Sequence, residues 1–308
     1  MHIYLNPHCD YGQGRSKWQK IEPELRLRFG EFIVEEIPSP EGLGDQIKEA
    51  IAAGEHVFIA AGGDGTVNLM VNALMNSSAA KQRVVLGAIG LGSSNDFHKT
   101  FRPETFIEGV PTRMDWKKAT PCDVIRAQYR NAQNHLSTRY CIINASIGIT
   151  AHANAVYNSR LPFIEFIQRI SIEAAIIASA LKTIFTFHNI PCKIALQKSE
   201  PHQFRLTNLG VIKNPHFAGG LCYDTPVKPD DGKLGVNLCA DMTMFEAIST
   251  LVRLYKRQFR GRLKTYTWLT TTLSVTSARP LALEMDGEVL QTSHVEFKII
   301  PKAIRCCP

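Results

Sequence analysis

The stretch Val57–Asn68, VFIAAGGDGTVN, limits the possible folds more than any other part of the chain. Its apolar, branched first half reads as a strand buried on both faces, the kind found in a parallel sheet. It stops on Gly62-Gly63-Asp64-Gly65, and Thr66 stands at the expected N-cap of a helix over Val67–Asn76. Glycines at three of four positions permit positive φ and leave no Cβ where a phosphate would approach the backbone. The free N–H groups of the first helical turn would face that phosphate. Asp64, a lone carboxylate in an anion-favouring turn, suits a metal-bound polyphosphate better than a bare phosphate. The competing reading is an ordinary strand–turn–helix junction that uses glycine for sharpness.

The surrounding sequence repeats the same β–α pattern. His2–Leu5 reads as a strand running into Asn6-Pro7 and a loop containing Gly12 and Gly14. Ser16–Phe29 reads as an amphipathic helix with Trp18, Ile21, Leu25 and Leu27 or Phe29 on its apolar side. Phe32–Ile37 is a second strand ended by Pro38-Ser39-Pro40, Glu41–Ala53 a helix stopped by Gly54, and Val84–Ile89 a fourth strand. Short loops between alternating strands and helices predict a doubly wound α/β sheet. Ligands in such sheets lie beyond the carboxyl ends of the strands. Asn6-Pro7, Ser39, Gly62–Thr66 and Gly90–Asp96 all fall there. The last of these, Gly90-Leu91-Gly92-Ser93-Ser94-Asn95-Asp96-Phe97, repeats the opening chemistry with glycines, hydroxyls and a second carboxylate. Alone it is also consistent with a polar turn capped by Ser94 or Asn95.

After Pro121 the pattern changes. Val124–Tyr129, Tyr140–Ile147, Lys193–Gln197, Leu206–Val211, Gly235–Cys239, Thr270–Thr276, Leu281–Met285 and Val295–Ile300 read as strands separated by turns. An antiparallel sandwich or barrel over 123–299 follows, after a nucleotide-binding α/β domain over 1–122, with residues from about 300 to 308 expected to pack back on the first domain. Two helices interrupt the second domain. Leu161–Phe187 is long and apolar, broken by Glu165, Arg169, Glu173 and Lys182, and suits a core helix or the wall of an apolar cavity. Met242–Tyr255 runs into Arg253–Lys264, which carries six basic residues and no acid. If half of them faced an anionic membrane, at roughly 1 kcal/mol each, the result would be reversible docking. A solvated helix face is the alternative.

The net charge of +7 agrees with an anionic partner, but no recognition motif or aromatic-interleaved groove points to nucleic acid. Eight cysteines without metal spacing and ten dispersed histidines fit a reducing, cytoplasmic setting and suggest no zinc site. No uncharged apolar run approaches a membrane span, so peripheral contact with the inner membrane face is expected rather than insertion.

Taken together, Gly62–Asn68 followed by Gly92-Ser93-Ser94-Asn95-Asp96-Phe97 resembles the diacylglycerol kinase catalytic family, and more narrowly the bacterial soluble lipid kinases with a β-sandwich second domain. Asn6-Pro7 resembles the family's first nucleotide loop, and Asn144–Ala151 its inter-domain motif. Ala218-Gly219-Gly220 with Pro229–Leu234 resembles its structural-magnesium stretch, and Asp286-Gly287-Glu288 its C-terminal acidic motif. The resemblance implies ATP and Mg2+ as cofactors and a lipid hydroxyl as acceptor of the γ-phosphate. Asn6, Pro7, Ser39, Gly62, Gly63, Asp64, Gly65, Thr66, Asn68, Ser93, Asn95 and Asp96 would serve the nucleotide, with Asp64 and Asp96 working on magnesium and phosphate. Asp231 would hold a second magnesium with the carbonyls of Lys228 and Lys233. Glu288 would be the general base for the acceptor hydroxyl, with Asp286 in the same network, and the second domain would supply the acceptor pocket.

Several residues depart from the family pattern. Leu69 stands where these kinases carry Glu, Ser93-Ser94 replaces a Thr-containing pair, and His98-Lys99 replaces Ala-Arg. Thr225-Pro226-Val227-Lys228 lacks the usual acid before Asp231. Two alternatives accompany the lipid kinase: an NAD kinase-like small-molecule kinase, whose fold also uses Gly-Gly-Asp-Gly, and a non-catalytic lipid- or nucleotide-binding module. The acceptor lipid and the oligomeric state, a homodimer among the options, are open at this level.

Overall fold

A computed structural model describes the chain except residues 78–83, 101–104, 132, 160 and 198, and except the side chains at 40, 41, 165, 169, 172 and 173. The charges of Glu165, Arg169 and Glu173, expected to interrupt Leu161–Phe187, therefore lie outside the described residues. Two compact units form: Met1–Val124 with Pro301–Pro308, and Ile125–Ile300.

Unit 1 is built on β1 (His2–Leu5), β2 (Ile33–Glu36), β3 (Val57–Gly62) and β4 (Val85–Gly90). They pair in the order β2-β1-β3-β4, all parallel. The register sets Leu5 beside both Glu36 and Ala61, and Gly62 beside Gly90, so the loops leaving these strands share one edge. β3 and β4 are buried along their whole length, as continuous apolar runs require. A single irregular turn, α1 (Cys9–Gly12), precedes α2 (Gly14–Phe29), which buries Trp18, Ile21 and Leu25 but leaves Leu27 in solvent. α3 (Pro40–Ala52) starts with Pro in its first turn and is capped by Ser39, whose Oγ accepts the Gly42 amide at 3.0 Å. α4 (Asp64–Asn76) follows β3. Beyond β4, β5 (Phe106–Ile107) and β6 (Val110–Arg113) form a hairpin whose second strand pairs antiparallel with β4.

Unit 2 is antiparallel throughout its described pairings. β7 (Thr120–Arg130) pairs with β8 (Leu136–Cys141), and β9 (Asn144–Gly148) with the end of β11 (His202–Ile212). The expected Tyr140–Ile147 strand is thus two strands, separated at Ile142-Ile143. β10 (Ile190–Leu196) pairs with the start of β11. After the small hairpin β12 (His216–Phe217) and β13 (Leu221–Cys222) come β14 (Leu234–Ala240) and β15 (Thr265–Thr270) on the far side of β11. β16 (Thr272–Met285) and β17 (Glu288–Cys306) form a long hairpin. The irregularity between Thr276 and Leu281 lets β16 pair first with β10 and then with β9. Two expected strands are therefore one bent strand, the shape that carries a chain around a sandwich corner. The core includes Ile147, Leu209, Val236, Leu283, Val295 and Phe297, all without solvent exposure.

The helical content of unit 2 exceeds the sequence expectation. α5 (Ile149–Tyr157), which starts at the end of the Asn144–Ala151 motif, was not expected. The single helix expected over Leu161–Phe187 is two, α6 (Pro162–Ile170) and α7 (Ile172–Thr186), broken at Ser171, which is extended and caps α7. α8 (Met244–Tyr255) begins on a capping box formed by Thr243 and Glu246. All eight cysteines are unpaired thiols, seven of them buried.

Candidate active site

The glycines of the opening motif do not use positive φ, contrary to the sequence expectation; Gly62, Gly63 and Gly65 lie outside that region. Space is what requires Gly62, and likewise Gly92 in the second turn. A Cβ on Gly62 would lie 2.2 Å from Thr66 Oγ1, and one on Gly92 would lie 2.4 Å from Gly63 Cα. The two glycine turns therefore meet backbone to backbone. Gly65 is exposed with nothing within 4 Å of its Cβ position, which leaves an open approach. α4 also begins earlier than expected. Gly63, not Thr66, is the N-cap, and Thr66 and Val67 donate back to the Gly63 carbonyl at 2.9 and 3.2 Å. The amides of Asp64 and Gly65 precede the helical hydrogen-bond ladder and face the positive end of the helix dipole.

Asp64 joins the two loops. Its Oδ2 accepts the Asp96 amide at 3.0 Å and its Oδ1 the Phe97 amide at 2.9 Å. Burial and the neighbouring Asp96 push its carboxyl up to about 6, against the pull of those amides and of Lys99. Asp96 is buried, takes a hydrogen bond from Ser94 Oγ at 2.7 Å and pairs with Lys99 Nζ at 2.6 Å. Asn95, at φ 49°, staples its own turn by donating to the carbonyls of Gly90 and Gly92. Asn6 Nδ2 donates to Thr66 Oγ1 at 3.1 Å, tying the first loop to α4. Lys17 links the first loop to the last, contacting Asp10 at 2.7 Å and the Leu91 carbonyl at 3.2 Å.

The remaining expected residues divide. Ser93 is exposed beside the turn, whereas Pro7 is buried. Ser39 Oγ is occupied as a helix cap. Asn68 is buried, with its Oδ1 accepting from Asn72 at 2.8 Å, so it braces α4 from within. Lys17 was missed because its partners come from residues 10 and 91, which no local pattern relates.

In unit 2, Asp286-Gly287 is the two-residue turn between β16 and β17, with φ values of 44° and 100°. Positive φ at both positions marks the hairpin turn that favours Asp-Gly. Asp286 is buried and accepts the amides of Ile142 and Asn144 at 3.0 and 2.9 Å. Glu284, absent from the sequence reading, accepts from Ser146 Oγ at 2.6 Å and from the Gly287 amide at 2.7 Å. Burial raises its carboxyl pKa. Asn154 and Asn158 of α5 donate to the Gly287 carbonyl. Glu288, next along the chain, is half-exposed and ion-paired with Arg139. The turn is thereby fixed from three directions, with one carboxylate presented outward.

Two of the three groups expected to hold a second magnesium, Asp231 and the Lys233 carbonyl, are engaged by Lys213. Lys213 Nζ donates to Asp231 Oδ1 at 2.5 Å and to the Lys233 carbonyl at 2.9 Å. The Lys228 amide donates to Asp231 Oδ2. Burial would raise the Asp231 carboxyl, but Lys213 and the amides of Lys233 and Lys228 outweigh it and hold the pKa below the usual value. No cluster of three or more His, Cys, Asp or Glu side chains that could hold a metal occurs among the described residues.

The basic segment is partly spent internally. Lys264 pairs with Glu246 at 2.8 Å, and Arg260 engages Asp224 through its backbone and guanidinium. Lys256, Arg257 and Arg262 are exposed. Among the described residues no helix is long and apolar enough to cross a membrane.

Comparison with known proteins agrees with this architecture. Residues 1–127 match the diacylglycerol kinase catalytic domain, and residues 144–307 match the YegS C-terminal NAD kinase beta sandwich-like domain. A probable YegS-like lipid kinase of Shewanella frigidimarina is 24% identical over 84% of this chain and 78% of its own length. One from Xanthomonas euvesicatoria is 26% identical over 84% of this chain and 81% of its own. The crystal structure of a diacylglycerol kinase from Bacillus anthracis superposes with a TM-score of 0.69 at 17% identity, covering 99% of this chain and 95% of that one. Yeast NADH kinase shares the fold more distantly, with a TM-score of 0.51 at 11% identity over 100% of this chain and 83% of that one. An NAD kinase-like α/β domain followed by this sandwich places the chain in the YegS-type, diacylglycerol kinase-like lipid kinase family of phosphotransferases acting on an alcohol group.

Proposed function

We propose that the protein transfers the γ-phosphate of ATP to a lipid hydroxyl, with magnesium, while resting on an anionic membrane surface. The Asp64 clasp carries this reading: one carboxylate orders two glycine turns around the open N-terminus of α4. The amides of Asp64 and Gly65 in the first turn of α4 and the open space at Gly65 suit a phosphate chain. Asn6, Thr66 and Ser93 line the same strand edge. Asp64 and Asp96 would hold the magnesium that accompanies the nucleotide, and that ion would supply charge neutralisation on the transferring phosphoryl group. Asp64 does this with the lone pairs its two amide donors leave unused.

Glu288 acts as the base for the acceptor hydroxyl, oriented by Arg139, while Asp286 and Glu284 hold the turn that presents it. Support for a membrane comes from α6. Phe163, Phe166 and Ile170 are 68%, 62% and 71% exposed, at a spacing that puts them on one side of the helix, while Ile164 is buried. An outward apolar stripe with Lys256, Arg257 and Arg262 also in solvent matches interfacial docking. The NAD kinase-like alternative draws on the fold shared with yeast NADH kinase, but the α6 stripe favours a lipid acceptor.

The deciding experiment is phosphate transfer from labelled ATP into a total lipid extract, with the product identified by mass. A labelled lipid that Asp64→Ala reduces by roughly 10²-fold or more is expected, the scale of losing one preorganised charge-stabilising group. Transfer to NAD with none to lipid would replace this reading by the alternative.

A further inference from the structure

Lys213 follows β11 and its side chain is 2% exposed. A buried ammonium is costly unless an acid and further acceptors surround it. Here Asp231 Oδ1 lies 2.5 Å away and the Lys233 carbonyl 2.9 Å away. Asp231 is itself wrapped by its own turn, taking the Lys233 amide at 3.0 Å on one oxygen and the Lys228 amide at 3.2 Å on the other. Gly232, at φ 70°, permits the sharp reversal between them.

One carboxylate plus backbone carbonyls is the donor set that hard divalent cations take, with oxygen distances of roughly 2.0–2.6 Å. A magnesium on Asp231 Oδ1 would need the carboxylate and the Lys233 carbonyl that the ammonium now holds. Two cations on one such site would repel each other in a setting with little water to screen them. Lys228 adds a further donor, its amide N–H reaching the second carboxylate oxygen.

We propose that the Lys213 ammonium is a resident internal cation that replaces a divalent metal in unit 2, so that the Lys228–Lys233 turn is held without one. The proposal stands on unit 2 geometry alone and is independent of the kinase reading. Any magnesium requirement of the chain then comes from the nucleotide.

The test uses the full-length protein without nucleotide, so that phosphate-bound metal does not intrude. Thermal unfolding is followed in EDTA and in millimolar Mg2+ or Mn2+, and Mn2+ binding is counted by electron paramagnetic resonance. Wild type should unfold at the same temperature in all three and show no Mn2+ site that depends on Asp231. Lys213→Ala should unfold several degrees lower in EDTA, because Asp231 loses its buried partner. Mn2+ should recover part of that loss, and not in the Lys213→Ala/Asp231→Asn double variant. A wild-type melting temperature that drops in EDTA would overturn the proposal. So would a wild-type Mn2+ site lost in Asp231→Asn, or a Lys213→Ala protein as stable as wild type in EDTA. The wild-type measurements decide the matter even if the variants do not fold.

Discussion

The Phe97 amide donates to Asp64 Oδ1 at 2.9 Å, across 33 residues of sequence, so this carboxylate is engaged by protein before any ligand arrives. An acid that looks like a phosphate-loop oddity is also the fastener between the β3–α4 turn and the turn after β4. Removing it should cost structure as well as chemistry. Asp64→Ala is expected to destabilise unit 1 by about 2–4 kcal/mol, from two charge-assisted hydrogen bonds left unmade, and to weaken ATP binding. Denaturant unfolding and nucleotide titration check this together. Loss of transfer with unchanged stability would leave Asp64 a purely catalytic group.

Asp64 and His98 of unit 1 give opposite responses to acid. Asp64 is raised from 3.8 to about 6, so the folded state binds the extra proton and stability rises as pH falls through about 6 towards about 4. His98 is lowered from 6.5 to about 3 by burial and by Arg113, so the unfolded state binds its proton first and stability falls below about pH 6.5. Asp64→Asn should therefore steepen the loss of thermal stability between about pH 6 and pH 4, and His98→Asn should flatten it. Melting temperatures with parallel pH slopes in all three proteins would contradict both assignments.

The glycines separate packing from ligand approach. A Cβ at Gly92 meets backbone at 2.4 Å, whereas one at Gly65 meets nothing. Gly92→Ala should be destabilised by about 1–3 kcal/mol or more, the usual range for overpacking against atoms that cannot rotate away. Gly65→Ala should fold as well as wild type, since Ala favours a helix, yet bind ATP more weakly because a methyl group sits in the approach. Calorimetry of folding and of ATP binding on the two variants tests the contrast.

At the Asp286-Gly287 turn, exposure predicts which variants unfold. Glu288→Gln should lower kcat by about 10²–10⁴-fold, the range for losing a general base, with the ATP KM and the melting temperature little changed. Asp286→Ala should lower the melting temperature, because two amides lose a buried acceptor. A Glu288→Gln enzyme with wild-type kcat would shift attention to Glu284.

Vesicle co-sedimentation addresses the α6 stripe. Phe163→Ser with Phe166→Ser should reduce binding to anionic vesicles at all salt concentrations, since the lost contribution is apolar. Lys256→Glu with Arg257→Glu should reduce it chiefly at low salt. Binding indifferent to all four changes would make the stripe an ordinary exposed surface.

The parts visible in sequence were those with a local signature. Alternating β–α segments exposed the parallel sheet, and the acid-bearing glycine turns lie together at one edge of it. What stayed hidden depends on residues far apart in the chain. Lys17 with Leu91, Arg139 with Glu288, Ser146 with Glu284 and Lys213 with Asp231 become neighbours only through tertiary pairing. Helix detail was lost where short polar signals compete. Ser171 breaks an otherwise continuous apolar run, and Gly63 takes the cap that Thr66 would normally claim. The basic segment read as free charge because Glu246, which pairs with Lys264, and Asp224, which accepts the Arg260 amide, lie outside it.

Residues Pro301–Pro308 belong to the first unit, where Arg305 and Cys306 pair in parallel with Val85 and Leu86 and the Lys302 amide binds Asp123. The first unit is therefore made of two stretches separated by the whole of the second. During synthesis Val85 and Leu86 of β4 wait for Arg305 and Cys306 until the whole sandwich has emerged. A fragment cut near Val124 would expose part of an apolar strand edge, and a lesion within Pro301–Pro308 would be felt in the first unit rather than in the unit that precedes it in sequence.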